Sequence, residues 1–64
     1  MSLKHKIAYW RIKRNLSQRE LADKIGVSQA AVAKWETGGS KPTLDNVQNI
    51  ADALDVALTD LFDP

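Results

Sequence analysis

The sequence predicts an all-α domain of five short helices around one core, in which the second and third helices form a helix-turn-helix. Apolar residues recur at helical spacing and never alternate over the length of a strand. Helix-capping residues and glycines interrupt the chain at short intervals. The chain has 64 residues, which is enough for one domain, so residues 1–64 are expected to form a single compact unit.

The first helix is expected over residues 3–14, with Ser2 as its N-cap and Asn15 directly after its end. Ile7 and Trp10 lie three positions apart and therefore share one face. This apolar face is expected to pack on the core, while the lysines of the helix stay in water.

The second helix has the strongest start signal in the chain. Ser17 and Glu20 have the spacing of a capping box, in which each side chain bonds the main-chain N–H of the other residue. Gly26 stands where a left-handed residue often ends a helix, and Ser28 can cap the next helix after a three-residue turn. Two short helices joined by such a turn make residues 17–37 a predicted helix-turn-helix.

The last two helices are predicted from different signals. Thr43 can cap the fourth helix. Its apolar residues keep helical spacing and are Leu44, Val47, Ile50, Ala51 and Leu54. A short fifth helix is expected over residues 58–62, but Ala57 stands at its N-cap position and has no side-chain acceptor. A missing cap costs about 1 kcal/mol, so this helix start is expected to be frayed unless a partner covers it.

Charge is distributed unevenly along the chain. Residues 1–41 hold all nine Lys and Arg and three acidic residues, a net charge of +6. Residues 42–64 hold five acidic residues and no base, a net charge of −5. This division favours a side that faces a polyanion and a side that turns away from it, although chance and solvated helix faces can also produce it.

Composition argues against several classes of protein. With no cysteine and His5 as the single histidine, neither a disulfide framework nor a zinc site is expected, and we predict no metal and no cofactor. No apolar run approaches the roughly 20 residues of a membrane span, and the start does not read as a signal peptide, so a cytoplasmic protein is expected. The chain lacks a nucleophile–base set and a glycine-rich phosphate loop, so neither an enzyme nor a small-molecule substrate is expected.

The third helix is the candidate reader of DNA. Val32 and Trp35 define its inner side, which leaves the opposite stripe free to enter a major groove about 12 Å wide. Base contacts are expected from Gln29, Ala30, Ala33 and Lys34. Contacts to the DNA backbone are expected from Ser17, Gln18, Ser28, Thr37, Ser40 and Lys41. The same residue types also occur on ordinary exposed helix faces, so the stripe alone leaves that alternative open.

Five short motifs resemble the lambda-repressor/Cro family, also called the XRE family. They are LSQRELA at 16–22, GVSQ at 26–29, WETG at 35–38, Pro42, and LDV at 54–56. The similarity extends over about residues 3–63. It implies a five-helix domain without enzymatic activity that binds double-stranded operator DNA, usually as a homodimer on a two-fold symmetric site.

The resemblance also implies roles for individual residues. Arg11 and Glu36 match positions that often form a structural ion pair in the family. A dimer interface is implied for Val56, Ala57, Leu58 and Phe62. Ala30 and Ala33 depart from the family pattern, because relatives often carry polar base-reading residues there. Direct readout is therefore expected to be sparse, which leaves more specificity to thymine methyl groups and DNA shape.

Two functions follow as hypotheses from these motifs. The first is a sequence-specific transcriptional regulator, most simply a repressor of the phage or restriction-modification-controller kind, encoded by a bacterium or a phage. The alternative is an interaction module, such as an antitoxin or an adaptor, that uses the same domain for autoregulation. A neighbouring toxin gene would favour the alternative.

Overall fold

The computed structural model describes residues 3–62, and within this range the chain forms four α-helices and one 3-10 helix, with no strand. The elements are α1 (Leu3–Lys13), α2 (Gln18–Ile25), α3 (Gln29–Thr37), α4 (Leu44–Leu54) and the 3-10 helix (Leu58–Leu61). The all-helical fold is confirmed, and the short fifth helix predicted over residues 58–62 is present only as a 3-10 helix over Leu58–Leu61. The predicted N-cap at Ser2 lies outside the described residues.

The last element is a 3-10 helix because little supports a longer one. Ala57 offers no side-chain acceptor to its start, so only the reverse bond forms, from the Ala57 N–H to the Asp60 carboxylate at 3.0 Å. Leu61 is fully buried and anchors the segment, and the Trp10 indole N–H donates to the Asp60 carbonyl at 3.3 Å. Phe62 is already extended, at φ −112° and ψ 139°.

Both helices of the helix-turn-helix are capped at their N- and C-terminal ends by local hydrogen bonds. The Ser17 hydroxyl accepts the Glu20 N–H at 3.0 Å, while the Glu20 carboxylate accepts the Ser17 N–H at 2.8 Å. The Ser28 hydroxyl accepts the N–H three residues later at 3.1 Å. Gly26 and Gly38 end α2 and α3 at φ 78° and φ 84°, a left-handed conformation that costs glycine little. The caps predicted for this region are therefore confirmed.

The other two helices end without glycine. Asn15 follows α1 at φ 58° and Asp55 follows α4 at φ 56°, and these are residue types that tolerate the left-handed region. At the start of α4, the Thr43 hydroxyl accepts the Asn46 N–H at 3.2 Å. The predicted end of α1 was one residue too late, because the helix stops at Lys13.

The core receives buried side chains from every element. They are Ile7, Leu21, Ala22, Val32, Trp35, Val47, Ile50, Ala51, Leu54 and Leu61. The predicted inner faces are confirmed with one exception. Leu44 fits the helical spacing of α4 but is 67% exposed, because it is the first residue of the helix and core packing begins one turn later, at Val47.

Arg14 connects the end of α1 to the end of α4. Its Nε donates to the Leu54 carbonyl at 2.7 Å and its Nη2 to the Asp55 carbonyl at 3.2 Å. Its guanidinium also lies 5.3 Å from the centre of the Trp10 ring. A cation is favourable at a helix C-terminus, so this contact fixes α1 against α4. Between Leu3 and Phe62, none of the helices has the length and apolar character of a membrane span.

Candidate nucleic-acid interface

The outward face of α3 is the one expected from the sequence. Val32 and Trp35 are buried, while Gln29, Ala30 and Lys34 are exposed on the other side of the helix. Thr37 is also exposed, and Ala33 is half-buried. The structure therefore brings the predicted base-contacting residues onto one surface, with the two small side chains between the two polar ones.

The two long polar side chains of this face are available to a ligand. Neither Gln29 nor Lys34 uses its side chain in a hydrogen bond or ion pair with residues 3–62. A glutamine amide can bond adenine N6 and N7, and a lysine can reach guanine O6 and N7. The exposed methyl group of Ala30 offers an apolar contact of the size that a thymine methyl requires.

The start of α2 presents main-chain donors rather than the Ser17 amide. The N–H of Ser17 is occupied by Glu20, and its hydroxyl also interacts with the Glu20 carboxylate, so Ser17 offers a phosphate only a shared hydroxyl proton. The main-chain N–H groups of Gln18 and Arg19 have no acceptor among the described residues. Hydrogen bonds from Ser17, first from its main-chain N–H and then from its hydroxyl, hold the pKa of Glu20 below its ordinary value of 4.5.

The start of α3 has the same arrangement. Ser28 caps the helix, and the main-chain N–H groups of Gln29 and Ala30 have no acceptor within residues 3–62. Free N–H groups and the helix dipole both favour an anion at a helix N-terminus. The two helix starts thus offer two sets of main-chain donors to an anion.

The end of α3 and the loop that follows it differ in the donors that they leave available to a phosphate. The Thr37 hydroxyl donates to the Lys34 carbonyl at 3.2 Å, so its proton is used within the helix. Ser40 and Lys41 are exposed in the loop, and Lys41 has no ion-pair partner among residues 3–62. Lys41 is therefore the stronger phosphate-binding candidate of these three residues.

An ion pair lies beneath the exposed face. Arg11 Nε and Nη2 donate to the two carboxylate oxygens of Glu36 at 2.6 Å and 3.1 Å, with only 15% and 8% of the side chains exposed. Arg11 Nη1 also donates to the Leu16 carbonyl at 2.8 Å. The implied pairing of Arg11 with Glu36 is present, and it ties α1 to α3.

One member of this network was not foreseen from the sequence. The Gln18 amide nitrogen donates to Glu36 Oε1 at 3.0 Å. Gln18 begins α2 and Glu36 lies near the end of α3, so the two residues meet only after the helices pack. Their separation of 18 positions carries no local signal, and only the fold brings them together.

The residues considered for a dimer interface line two different depressions. Val56, Ala57 and Leu58 line one shallow depression of about 420 Å³. Phe62 is 46% exposed and lines a different depression, of about 510 Å³, together with Trp35. Val56 and Leu58 are half-buried against the core, which leaves Ala57 as the exposed member of the first group.

Comparison with known proteins places these features in a family. The sequence profile of a helix-turn-helix family matches residues 7–61. Among curated relatives, the cryptic phage CTXphi transcriptional repressor RstR of Vibrio cholerae is 38% identical over 61 residues, which cover 95% of this chain. The match covers 54% of the repressor, so the chain spans about half the length of that relative.

Two solved structures have closely similar folds. The P22 c2 repressor in complex with a synthetic operator gives a TM-score of 0.90 at 26% identity, covering 97% of this chain and 94% of the repressor chain. The restriction-modification controller protein C.AhdI from Aeromonas hydrophila gives a TM-score of 0.90 at 30% identity, covering 94% of this chain and 91% of the controller. Both superpose over nearly the whole described chain.

Proposed function

This chain belongs to the helix-turn-helix family of DNA-binding transcriptional regulators, and we propose that it binds operator DNA by placing α3 in the major groove. The observation that carries the proposal is the exposed face of α3. Gln29 and Lys34 have free side chains on this face, while Val32 and Trp35 are buried on the opposite face of the helix. The family is one of regulators rather than enzymes. Because such a regulator acts on DNA, we propose that it functions in the cytoplasm of a bacterial cell.

Reading of the bases depends on two polar side chains. Gln29 lies in the first turn of α3, the part of a recognition helix that enters the groove most deeply. Lys34 extends the same face toward the end of the helix. Ala30 and Ala33 add only methyl groups, so we expect few direct base contacts and a larger share of specificity from DNA shape.

Positioning on the DNA backbone depends on the two helix starts and the loop after α3. Gln18 and Ser28 stand at the starts of α2 and α3, and Ser17 can add its hydroxyl proton. Lys41 adds a positive charge from the loop that follows α3. Ser40 supplies a hydroxyl beside it, while Thr37 makes a weaker contact because its proton is shared with the helix. Phosphate contacts of this kind set the register without carrying sequence information.

Substitutions that separate reading from positioning test the proposal. Gln29→Ala and Lys34→Ala are each expected to weaken binding to the preferred site by about 1–3 kcal/mol. Gln29→Ala is expected to leave binding to random duplexes unchanged. Lys41→Ala is expected to weaken binding to all duplexes and to lower the salt-dependence slope by about one. Titrations of specific and random duplexes at several salt concentrations measure both effects.

The surface-exposed Asn49, on α4, provides the control, because it lies outside the depression lined by Val56, Ala57 and Leu58, and Asn49→Ala is expected to bind both duplexes like the wild type. If Gln29→Ala and Lys41→Ala change specific and random binding in the same proportion, α3 is not the reading element.

We further propose that two copies bind a two-fold symmetric site through Val56, Ala57 and Leu58, with Phe62 as a separate contact. The support is the exposed Ala57 beside two half-buried apolar side chains, together with the 46% exposure of Phe62. Sedimentation velocity of the free protein and of the operator complex tests this. Two protomers per operator are expected, and Ala57→Glu is expected to reduce this to one. Binding of one wild-type protomer to an asymmetric site would contradict the proposal.

A further inference from the structure

We propose that Glu36 is a positioning residue for DNA binding, because it holds the Gln18 side chain in place for a phosphate before DNA arrives. The inference rests on the proposed function and extends it, since it makes the buried ion pair part of the interface and not only of the fold. One carboxylate oxygen of Glu36 accepts hydrogen bonds from two side chains. Glu36 Oε1 accepts from Arg11 Nη2 at 3.1 Å and from Gln18 Nε2 at 3.0 Å.

The chemistry of this contact fixes which way the Gln18 amide faces. An ionised carboxylate only accepts hydrogen bonds, so the group that meets Glu36 must be the amide NH₂ and not the amide oxygen. The carboxylate is itself held by two bonds from Arg11, whose third donor is bonded to the Leu16 carbonyl at 2.8 Å. Gln18 is thus attached to a group with little freedom to move.

This arrangement leaves a defined set of donors at the start of α2. One N–H of the Gln18 side-chain amide is bonded to Glu36. The second N–H of this amide and the main-chain N–H of Gln18 have no acceptor within residues 3–62. A phosphate oxygen can accept from both free groups. The negative charge of Glu36 does not oppose the phosphate strongly, because Arg11 lies against it.

Gln29 provides an internal contrast. It is also a glutamine in the first turn of a helix on the same surface, but its side chain has no partner among the described residues. Ordering a free, flexible side chain on binding costs conformational entropy, and a side chain that is already held avoids most of this cost. Gln18 is therefore set before binding, whereas Gln29 becomes ordered on the bases.

The first experiment compares the side-chain amides of Gln18, Gln29 and Gln48 by NMR relaxation in the free protein. Gln18 is expected to be about as ordered as the backbone, with an order parameter near 0.85, while the two exposed glutamines fall below about 0.6. Glu36→Asp withdraws the carboxylate by one methylene but keeps its charge. It is expected to make the Gln18 amide mobile and to leave the mobility of the other two amides unchanged. Equal mobility of all three amides in the wild type would overturn the inference.

The second experiment measures DNA affinity in a double-mutant cycle. Gln18→Ala is expected to weaken binding roughly tenfold, the size of one hydrogen bond to a charged group. Glu36→Asp is expected to cause a similar loss, and the double variant is expected to lose little more than either single one. Additive losses would overturn the inference.

Gln18→Asn keeps the test valid if Glu36→Asp does not fold. Because Gln18 is only half-buried, this substitution leaves the core intact. The shorter amide is expected to miss Glu36, so the variant is expected to bind DNA like Gln18→Ala. Wild-type affinity of Gln18→Asn would contradict a positioning role.

Lys41→Ala separates the two levels of failure. If it weakens binding while every Gln18 and Glu36 variant is neutral, only this inference fails. If Lys41→Ala is also neutral, the proposed function fails as well.

Discussion

The helix-turn-helix and the C-terminal segment are built in opposite ways. In the first, Ser17 and Ser28 cap the helix starts, and Gly26 and Gly38 turn the chain at the helix ends. In the second, the 3-10 helix has no side-chain cap. It is held by the buried Leu61 and by the bond from the Trp10 indole to Asp60. Side-chain caps therefore begin both helices of the proposed DNA-binding element, whereas the segment that follows α4 has only the bond from the Ala57 N–H to Asp60 and depends more on tertiary contacts.

This difference matches what each region is proposed to do. A DNA-reading surface benefits from fixed helix ends, because the free N–H groups must meet phosphates at set positions. The C-terminal segment instead exposes apolar surface at Phe62 and Ala57, which suits an interface with a second copy. Four experiments test how far the two regions differ.

The largest effect is expected at the ion pair under the helix-turn-helix. Glu36→Ala leaves Arg11 without its partner and is expected to lower the free energy of unfolding by about 3–5 kcal/mol. Urea unfolding followed by circular dichroism measures the loss, with Asn49→Ala, at an exposed position of α4, as the control. A loss below about 1 kcal/mol, the usual value of an exposed pair, would mean that the pair is effectively at the surface.

The next effect is expected at the anchor of the C-terminal segment. Leu61→Ala removes a fully buried side chain and is expected to cost roughly 3 kcal/mol in the same unfolding experiment. Amide hydrogen exchange is expected to show the greatest loss of protection in the 3-10 helix, with α2 and α3 less affected. Uniform loss across all helices would show that the segment does not open separately.

Cap exchange gives a smaller effect and compares the regions directly. Ser28→Ala is expected to cost about 1 kcal/mol, because it removes a cap that is formed. Ala57→Ser introduces the missing acceptor and is expected to raise the free energy of unfolding by up to about 1 kcal/mol. If Ala57→Ser changes nothing, the bond from Ala57 to Asp60 already satisfies the helix start.

The smallest effect concerns pH and the capping box of α2. Because the folded-state pKa of Glu20 is lowered, its charge stabilises the fold above pH 4.5, and this contribution is lost as the pH falls through the lower folded value. Glu20→Gln keeps the geometry of a capping box without the charge. The difference in unfolding free energy between wild type and Glu20→Gln is expected to shrink on acidification, and a constant difference would contradict this.

Local chemistry explains how much of the fold could be predicted from the sequence. Ser17, Ser28 and Thr43 mark helix starts because their hydroxyls bond nearby N–H groups, and this needs no tertiary contact. Helical spacing likewise identifies the buried faces of Val32 and Trp35. The exposure of Leu44 was not evident, because spacing gives the face of a helix but not where its neighbours end.

The candidate site could be predicted only in part for the same reason. Gln29 and Lys34 could be placed on the outer stripe of α3 from the positions of the inner residues. The bond from Gln18 to Glu36 could not, since it joins two helices and depends on their packing. Phe62 also lines a different depression from residues 56–58, and the sequence could not show this because it depends on how the helices pack.

Selection of bound sites from random duplex DNA tests most directly whether α3 is the reading element. It is to be run with the wild type, Gln29→Ala and Lys34→Ala under identical salt conditions. We predict a consensus of two symmetric half-sites for the wild type, with each variant relaxing the preference at one position of its own and keeping the rest. The same consensus from all three proteins would contradict the assignment of α3 as the reader.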